Sequence, residues 1–400
     1  MPDVLTLKQA VESRVPILGI DEARRQVGRE VRDRVAKGEW DARKLRLRDL
    51  FESFVGPVSL LETPDGINRR VFEGSSTSDD FFALVGRVVT AAARIIPADM
   101  PELVGDQLCT VLPMTSPEEA IPGTQALDRP EPVQQREEYP EANFDEKSVR
   151  PPEPPKYGQV VTVTKEMVLY DRTGLLQMQA KTVGQSLASE REANIIAGIT
   201  DTVAAQYPYW PRTNAGVYTR QAVYRTSVDP STWYARNLTQ MTNTFANFGS
   251  ITTAYTSMAA RTDEKGRPIL ATPNVILAPF ALKPLVMDAL RATQIKRVNT
   301  TATSSDEEHQ YGPNPINQII GGNMTGVFSQ YLDSISASNW YIGDPKRTFV
   351  WLEYWPLTVE QALPSDWEMM KRDIVAGYKA SFKGRLACRG DDYWLLCVPT

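Results

Sequence analysis

Apolar positions in the first quarter of the chain recur every fourth residue. Between Asp21 and Trp40 they fall at Ala23, Val27, Val31 and Val35, which predicts an amphipathic helix with Asp21 as its N-cap. A second helix is predicted over "DARKLRLRDLFESFV" (41–55), and a buried one over "DDFFALVGRVVTAAARIIPA" (79–98). A short strand follows near "QLCTVLP" (107–113). Farther on, Leu176, Ala180, Val183 and Leu187 make the stripe of one long helix over 171–199. Some 25 helical residues make a rod of about 38 Å. "YPYWPRTNAGVYTRQAVY" (207–224) reads as an aromatic loop or hairpin. After Asp229-Pro230, an N-cap followed by a first-turn proline, Tyr234, Leu238, Met241, Phe245 and Phe248 form the best helical face in the sequence.

Period two dominates the rest. "DEKG" (263–266) turns the chain into "ATPNVILAP", an all-apolar strand bounded by Pro273 and Pro279 and hence buried on both sides. "ALKPLVMDAL" (281–290) predicts a helix, and a polar loop over 299–315 carries His309 towards "INQIIGG". "TFVWLEYW" (348–355) is a strand. In the closing stretch Ile374, Ala376, Tyr378, Ala380 and Phe382 alternate with Val375, Gly377, Lys379, Ser381 and Lys383, as in a long strand with one covered face.

One segment fits neither period. From about Ser116 to Met167 the chain is proline-studded and poor in aliphatics until the alternating "VVTVT" (160–164). A structureless loop of that length is improbable inside a compact domain, and a lone two-stranded ribbon is barely stable in water. The segment therefore reads as an extended arm that completes its packing on another subunit. Prolines at its edges would keep it from recruiting strands wrongly.

Composition narrows the classes. With 400 residues, 42% hydrophobic and 23% charged, the chain is globular and large enough for two or three folding units. It contains no run of eighteen apolar residues that would span a bilayer. "MPDVLTLKQAVESRVP" lacks a signal-peptide layout, so export by that route is not expected. Cys109, Cys388 and Cys397 are scattered and read as buried, reduced thiols. Net charge is -5, but residues 1–50 carry 12 Lys/Arg against 9 Asp/Glu, whereas 115–150 carry 4 against 9. The basic front, with Arg24, Arg25, Arg29, Arg32 and Lys37, is either a pair of helices with solvated basic faces or an arm that faces a polyanion or an assembly partner.

Catalytic signatures do not emerge. A single histidine, His309, has no second His or Cys nearby for a zinc site and leaves no imidazole for most nucleophile triads. No phosphate-cradling glycine loop and no nucleophile elbow occurs, and "GGN" (321–323) reads as a turn. The carboxylates are plentiful, with no pair set above the rest. "YPYWP" (207–211) suits the plugging of a core or an interface better than base stacking, because Arg212 is the only basic residue beside it. No cofactor is expected.

The order of parts is more informative. "EEYPEANFDEKSVRPPEPPKYGQVVTVTKEMVLYD" leads into "LLQMQAKTVGQSLASEREANIIAGI". Then come "TPNVILAPFALKPLVMDAL", "NWYIGDPKRTFVWLEYW" and "VAGYKASFKGRLACRGDDYW". Over about residues 80–400 this order resembles the major capsid protein of tailed bacteriophages, whose fold herpesviruses share. The resemblance implies an α+β capsid fold. Residues 1–78 would be a helical N-terminal segment, 79–116 the first part of a peripheral domain, and 117–167 an extended β-hairpin loop. Residues 168–219 would carry the spine helix of the peripheral domain, 220–358 would form an axial domain, and 359–400 would return to the peripheral domain.

It further implies hexamers and pentamers closing an icosahedral shell around double-stranded DNA, in a virion assembled in the host cytoplasm. Portal, scaffold and decoration proteins would be its other partners, and no membrane would be involved. Glu138, Tyr139, Phe144, Arg150, Lys156 and Tyr157 would contact the neighbouring subunit. Arg24, Arg25, Arg29, Arg32 and Lys37 would face DNA or scaffold. The front departs from the family by its length, and residues 1–75 are expected to be retained and to fold with the shell. The Lys–Asn crosslink of some relatives is not carried over, because Asn323 and the lysines show no supporting spacing. Two rivals stay open: an encapsulin-like nanocompartment shell, and a soluble hydrolase using paired carboxylates.

Overall fold

The computed structural model describes residues 13, 14, 16, 26, 27, 30 and 34, then 103–116, 119–123, 132, 133, 135, 147–164, 175–292, 294–298, 309–313, 324–362, 372 and 374–399. In chain order the elements are α1 (Gly105–Leu108), β1 (Thr110–Pro113), β2 (Ile121–Pro122), β3 (Ser148–Val149), β4 (Lys156–Thr164), α2 (Leu175–Thr200), β5 (Gln240–Thr242) and α3 (Phe248–Ala259). They continue with β6 (Val275–Ala278), α4 (Lys283–Arg291), β7 (Gln294–Val298), β8 (His309–Pro313), β9 (Thr325–Phe328) and α5 (Gln330–Asp333). The last are β10 (Trp340–Gly343), α6 (Pro345–Thr348), β11 (Phe349–Ala362), β12 (Ile374–Cys388) and β13 (Trp394–Val398). The chain divides into two compact units, one of 1–100, 156–189 and 356–383, the other of 101–155, 190–355 and 384–400.

In the first unit, β4 pairs antiparallel with the first part of β12, setting Tyr157 opposite Phe382 and Val161 opposite Tyr378. The Tyr157 ring stacks on Phe382 with centroids 5.1 Å apart. Gly158 sits where the two backbones approach closely, and an added Cβ there would stand 3.0 Å from the Ser381 Cβ. Gln159 donates to the Ser186 hydroxyl of α2 at 3.4 Å. The helix predicted between Asp21 and Trp40 is borne out at its described positions, Gln26, Val27, Glu30 and Arg34. There Val27 is buried and Glu30 pairs with Arg14 and Arg34.

The second unit is built on a sheet of order β5-β13-β10-β6-β9. Ile276, Ala278, Trp340, Ile342, Leu395 and Cys397 face one way and pack with Ile251, Ala254 and Met258 of α3 and Val286 and Ala289 of α4. The opposite face is closed as well. Tyr341 stacks on Trp394 at 6.2 Å, and Phe349 meets Trp394 edge-on at 6.0 Å. Burial on both faces explains why "VILA", "WYIG" and "WLLCV" are unbroken apolar runs instead of alternating ones. β13, drawn from the stretch 359–400 that the resemblance assigned to a return, lies between β5 and β10 in this sheet.

The long helix is where the periodicity placed it, 26 residues from Leu175 to Thr200. Its Ile195, Ile196 and Ile199 are fully buried. Glu192 reaches from it to the start of α1, accepting from the amides of Val104 at 3.0 Å and Gly105 at 2.8 Å. Burial raises the Glu192 carboxyl, outweighing the pull of those two amides. The folded protein therefore takes up this proton before the unfolded chain does, and Glu192 opposes acid unfolding. Glu192→Ala orphans two buried amides. We expect a loss of about 2–4 kcal/mol, read as a lower urea midpoint.

Two expectations are corrected. No helix runs from Pro230 to Phe248; the stretch is turns followed by β5, and the helix begins only at Phe248 with Asn247 as its cap. Local hydrogen bonds outbid the helical face. The Asp229 carboxylate accepts from the Ser231 amide and hydroxyl, and Thr239 bonds the Val223 carbonyl and the Arg225 amide. Leu238, counted in the predicted apolar face, is exposed. His309 is not in a loop but opens β8, opposite Val298 of β7. The predicted helices over 41–55 and 79–98 and the "GGN" turn lie outside the described residues.

Candidate functional site

The anomalous segment springs from a short two-stranded root. β2 and β3 pair Ile121 with Val149 and Pro122 with Ser148, and the Gly123 amide donates to the Lys147 carbonyl at 2.9 Å. Two residue pairs do not hold a ribbon in water. What holds this one is burial and cross-links on both sides. Ile121 and Val149 are buried, and Val149 bridges to Pro211 of the aromatic loop. The Arg150 amide donates to the Trp210 carbonyl, and the Arg212 amide to the Ser148 carbonyl. Ser148 and Tyr218 share a hydroxyl–hydroxyl bond of 2.8 Å.

The aromatic loop does plug a core: Tyr209 is fully buried, and the Cys388 amide donates to the Pro208 carbonyl. The proline ribbon "RPPEPP" runs on from the root with Pro151 and Pro154 buried. Proline offers no amide donor, so only its carbonyls need partners here. Arg385, itself buried, supplies one by donating to Pro152 O and, with its other nitrogen, to Tyr207 O.

Lys147 is a buried cation: at 8% exposure it pairs with Glu264 of the 263–266 turn and lies 5.7 Å from the ring centre of Trp233. Trp233 also closes over Gly123, where an added Cβ would meet its ring at 3.0 Å. Two clefts flank this tryptophan. One, of about 300 Å³, is lined by Asn237, Asp263, Glu264, Arg267, Asp392 and Tyr393 among others. The other, of about 450 Å³, is lined by Lys147, Arg212, Thr213, Asn214, Ser231 and Glu264 beside Trp233 and Gly216.

Beneath the first cleft lies a buried ionic cluster. Arg225 pairs with Asp391, Asp392 accepts from the Asn237 amide nitrogen at 2.8 Å, and Asp201 accepts from the Val223 amide at 2.9 Å. Burial raises the carboxyls of Asp201 and Asp392. Their partners are backbone and structural side chains, an arrangement that orders loops. Among the described residues, no group of three or more His, Cys, Asp or Glu could hold a metal ion. The three cysteines are free and buried, and burial pushes the thiols of Cys109 and Cys397 up to about 12.

Of the residues assigned to a neighbour contact, Arg150 sits at the root, its guanidinium 5.8 Å from the Tyr218 ring centre. Lys156 begins β4 and is exposed, and Tyr157 is half-buried against Phe382 of its own chain. Glu138, Tyr139 and Phe144 lie outside the described residues, as do Arg24, Arg25, Arg29, Arg32 and Lys37. Lys147, Trp233 and Glu264 were not singled out from the sequence. Lys147 sits among acidic residues as an ordinary charge, and Trp233 fell within the helix predicted after Asp229.

The family described as phage capsid protein matches residues 150–388, more than half of the chain. No curated protein matches it. Among solved structures, a chain of Microbacterium phage Oxtober96 is similar at 12% identity over 77% of this chain and 100% of that one, with a TM-score of 0.44. The capsid of a native GTA particle is similar at 10% identity over 76% and 91%, TM-score 0.43. A virus-like particle from Pyrococcus furiosus is similar at 9% over 73% and 91%, TM-score 0.37. At such values the assignment rests on the family match. The chain belongs to the phage capsid protein family, whose model spans more than half of it.

Proposed function

We propose that copies of this chain assemble as hexamers and pentamers into a closed icosahedral shell around double-stranded DNA, each copy clasping its neighbour with the loop 117–167. The observation that carries the reading is the root: two residue pairs, the buried Ile121–Val149 and the more exposed Pro122–Ser148, fasten to the body a segment with too few aliphatics for a core of its own. Such a segment gains its packing from another copy, and under closed symmetry many small contacts add up. In this reading Glu138, Tyr139, Phe144, Arg150, Lys156 and Tyr157 make the clasp. Arg24, Arg25, Arg29, Arg32 and Lys37 face DNA or scaffold through contacts that are blind to sequence and weaken with salt. Portal, scaffold and decoration proteins complete the partners, assembly takes place in the host cytoplasm, and the role is structural rather than catalytic.

Deleting residues 124–146 tests the clasp. The prediction is a folded protein, with its urea midpoint retained, that yields no closed shells by electron microscopy at concentrations where the intact chain forms them. Normal closed particles from the deleted chain would overturn the reading.

A further inference from the structure

The geometry points to a latch at the base of the loop: Lys147, Glu264 and Trp233 set the direction in which the segment 124–146 leaves the body. This rests on the clasp reading and adds to it the residues that aim the clasp. The root strands are too short to define a direction, since two pairs leave a ribbon free to twist and splay. Gly123 directly follows β2 and Lys147 directly precedes β3, and the Gly123 amide donates to the Lys147 carbonyl at the mouth of the loop. Both are held by the same tryptophan: the Lys147 ammonium lies over the Trp233 ring, and Gly123 backs onto its edge.

Glu264 completes the hold from a rigid turn. The Asp263 carboxylate accepts from the amides of Lys265 and Arg267 and from the Arg267 side chain at 2.8 Å, and Gly266 takes the positive φ of 74° that closes the turn. Thr262 and Pro268 bridge across its base. Burying an ammonium without a partner is unfavourable, so Lys147 at 8% exposure is held to this one geometry by Glu264 and the ring. The other side of the root is tied independently, by Arg389 donating to the Pro122 carbonyl at 3.3 Å. Opening the pair would therefore free the loop's exit and leave the sheet of the second unit untouched.

The test uses the full chain carrying Lys147→Met, Glu264→Gln, or the exchanged pair Lys147→Glu with Glu264→Lys, beside the 124–146 deletion. Both single changes are expected to speed amide exchange in 121–123 and 147–149 about tenfold. They are also expected to cut the yield of closed shells about tenfold, and the exchanged pair to recover exchange, yield and any lost urea midpoint. Wild-type exchange and yield in the single variants overturn the latch, as does a fall in urea midpoint that the exchanged pair fails to restore. If the deletion abolishes shells while Lys147→Met assembles normally, the latch falls and the clasp stands. If the deletion closes shells, the clasp falls, and unchanged exchange in the single variants then removes the latch as well.

Discussion

Arg261→Met is expected to lower the unfolding free energy by about 3–5 kcal/mol, read as a fall in urea midpoint without a change in slope. Arg261 is 4% exposed. One of its terminal nitrogens donates to the carbonyls of Asp391 at 3.3 Å, Asp392 and Trp394 at 3.1 Å, and the other donates to Leu238 at 2.8 Å. Four carbonyls from two loops thus converge on one guanidinium. Burial pulls the group down to about 10, so it stays protonated at neutral pH. Methionine fills the volume but leaves those carbonyls and the nearby Asp392 carboxyl without their cation. Arg261→Lys keeps the charge, yet a single ammonium cannot span both loops, so most of the loss should persist.

Gly343→Ala should be as damaging, at about 4 kcal/mol or more, and should leave little folded protein at 37 °C by circular dichroism. Gly343 ends β10 at a φ of 150°, a conformation that side chains rarely adopt. An added Cβ would run into the Tyr393 carbonyl and stand 2.9 Å from the Trp394 Cα. Neither neighbour can yield. Gly343 pairs with Trp394 on one side and Val275 on the other, and Trp394 is fully buried at the centre of the aromatic stack. If Gly343→Ala unfolds with the wild-type midpoint, the close approach of β10 to the 391–394 turn is wrong.

Elements whose pattern arises from one-sided or two-sided burial along a regular backbone were legible in the sequence. The helix around Leu187 to Ile199, β6 between its prolines, α4 and the alternating start of β12 belong to that group. β12 also shows where the pattern stops: past Phe382, Gly384 lies under the Trp351 ring, with a would-be Cβ 2.5 Å from it, and both faces are covered. The face from Tyr234 to Phe248 misled because Asp229 and Thr239 satisfy the backbone locally, so its spacing never becomes a helix. The loop root was visible as a composition break, whereas its fastening was not. Lys147 and Glu264 are far apart in the chain, and neither differs from a solvated charge when read alone.

Taken by itself, the sequence determined the order and kind of the principal elements and the presence of a proline-studded segment poor in aliphatics. Periodicity and composition are local properties of a chain, and they survive without coordinates for its neighbours in space. Tertiary structure alone decided which charges became buried partners: Arg261 beneath its four carbonyls, Arg225 on Asp391, and Lys147 between Glu264 and Trp233. A charge is sorted into solvent or interior by what folds over it, and that depends on contacts between residues far apart in the chain.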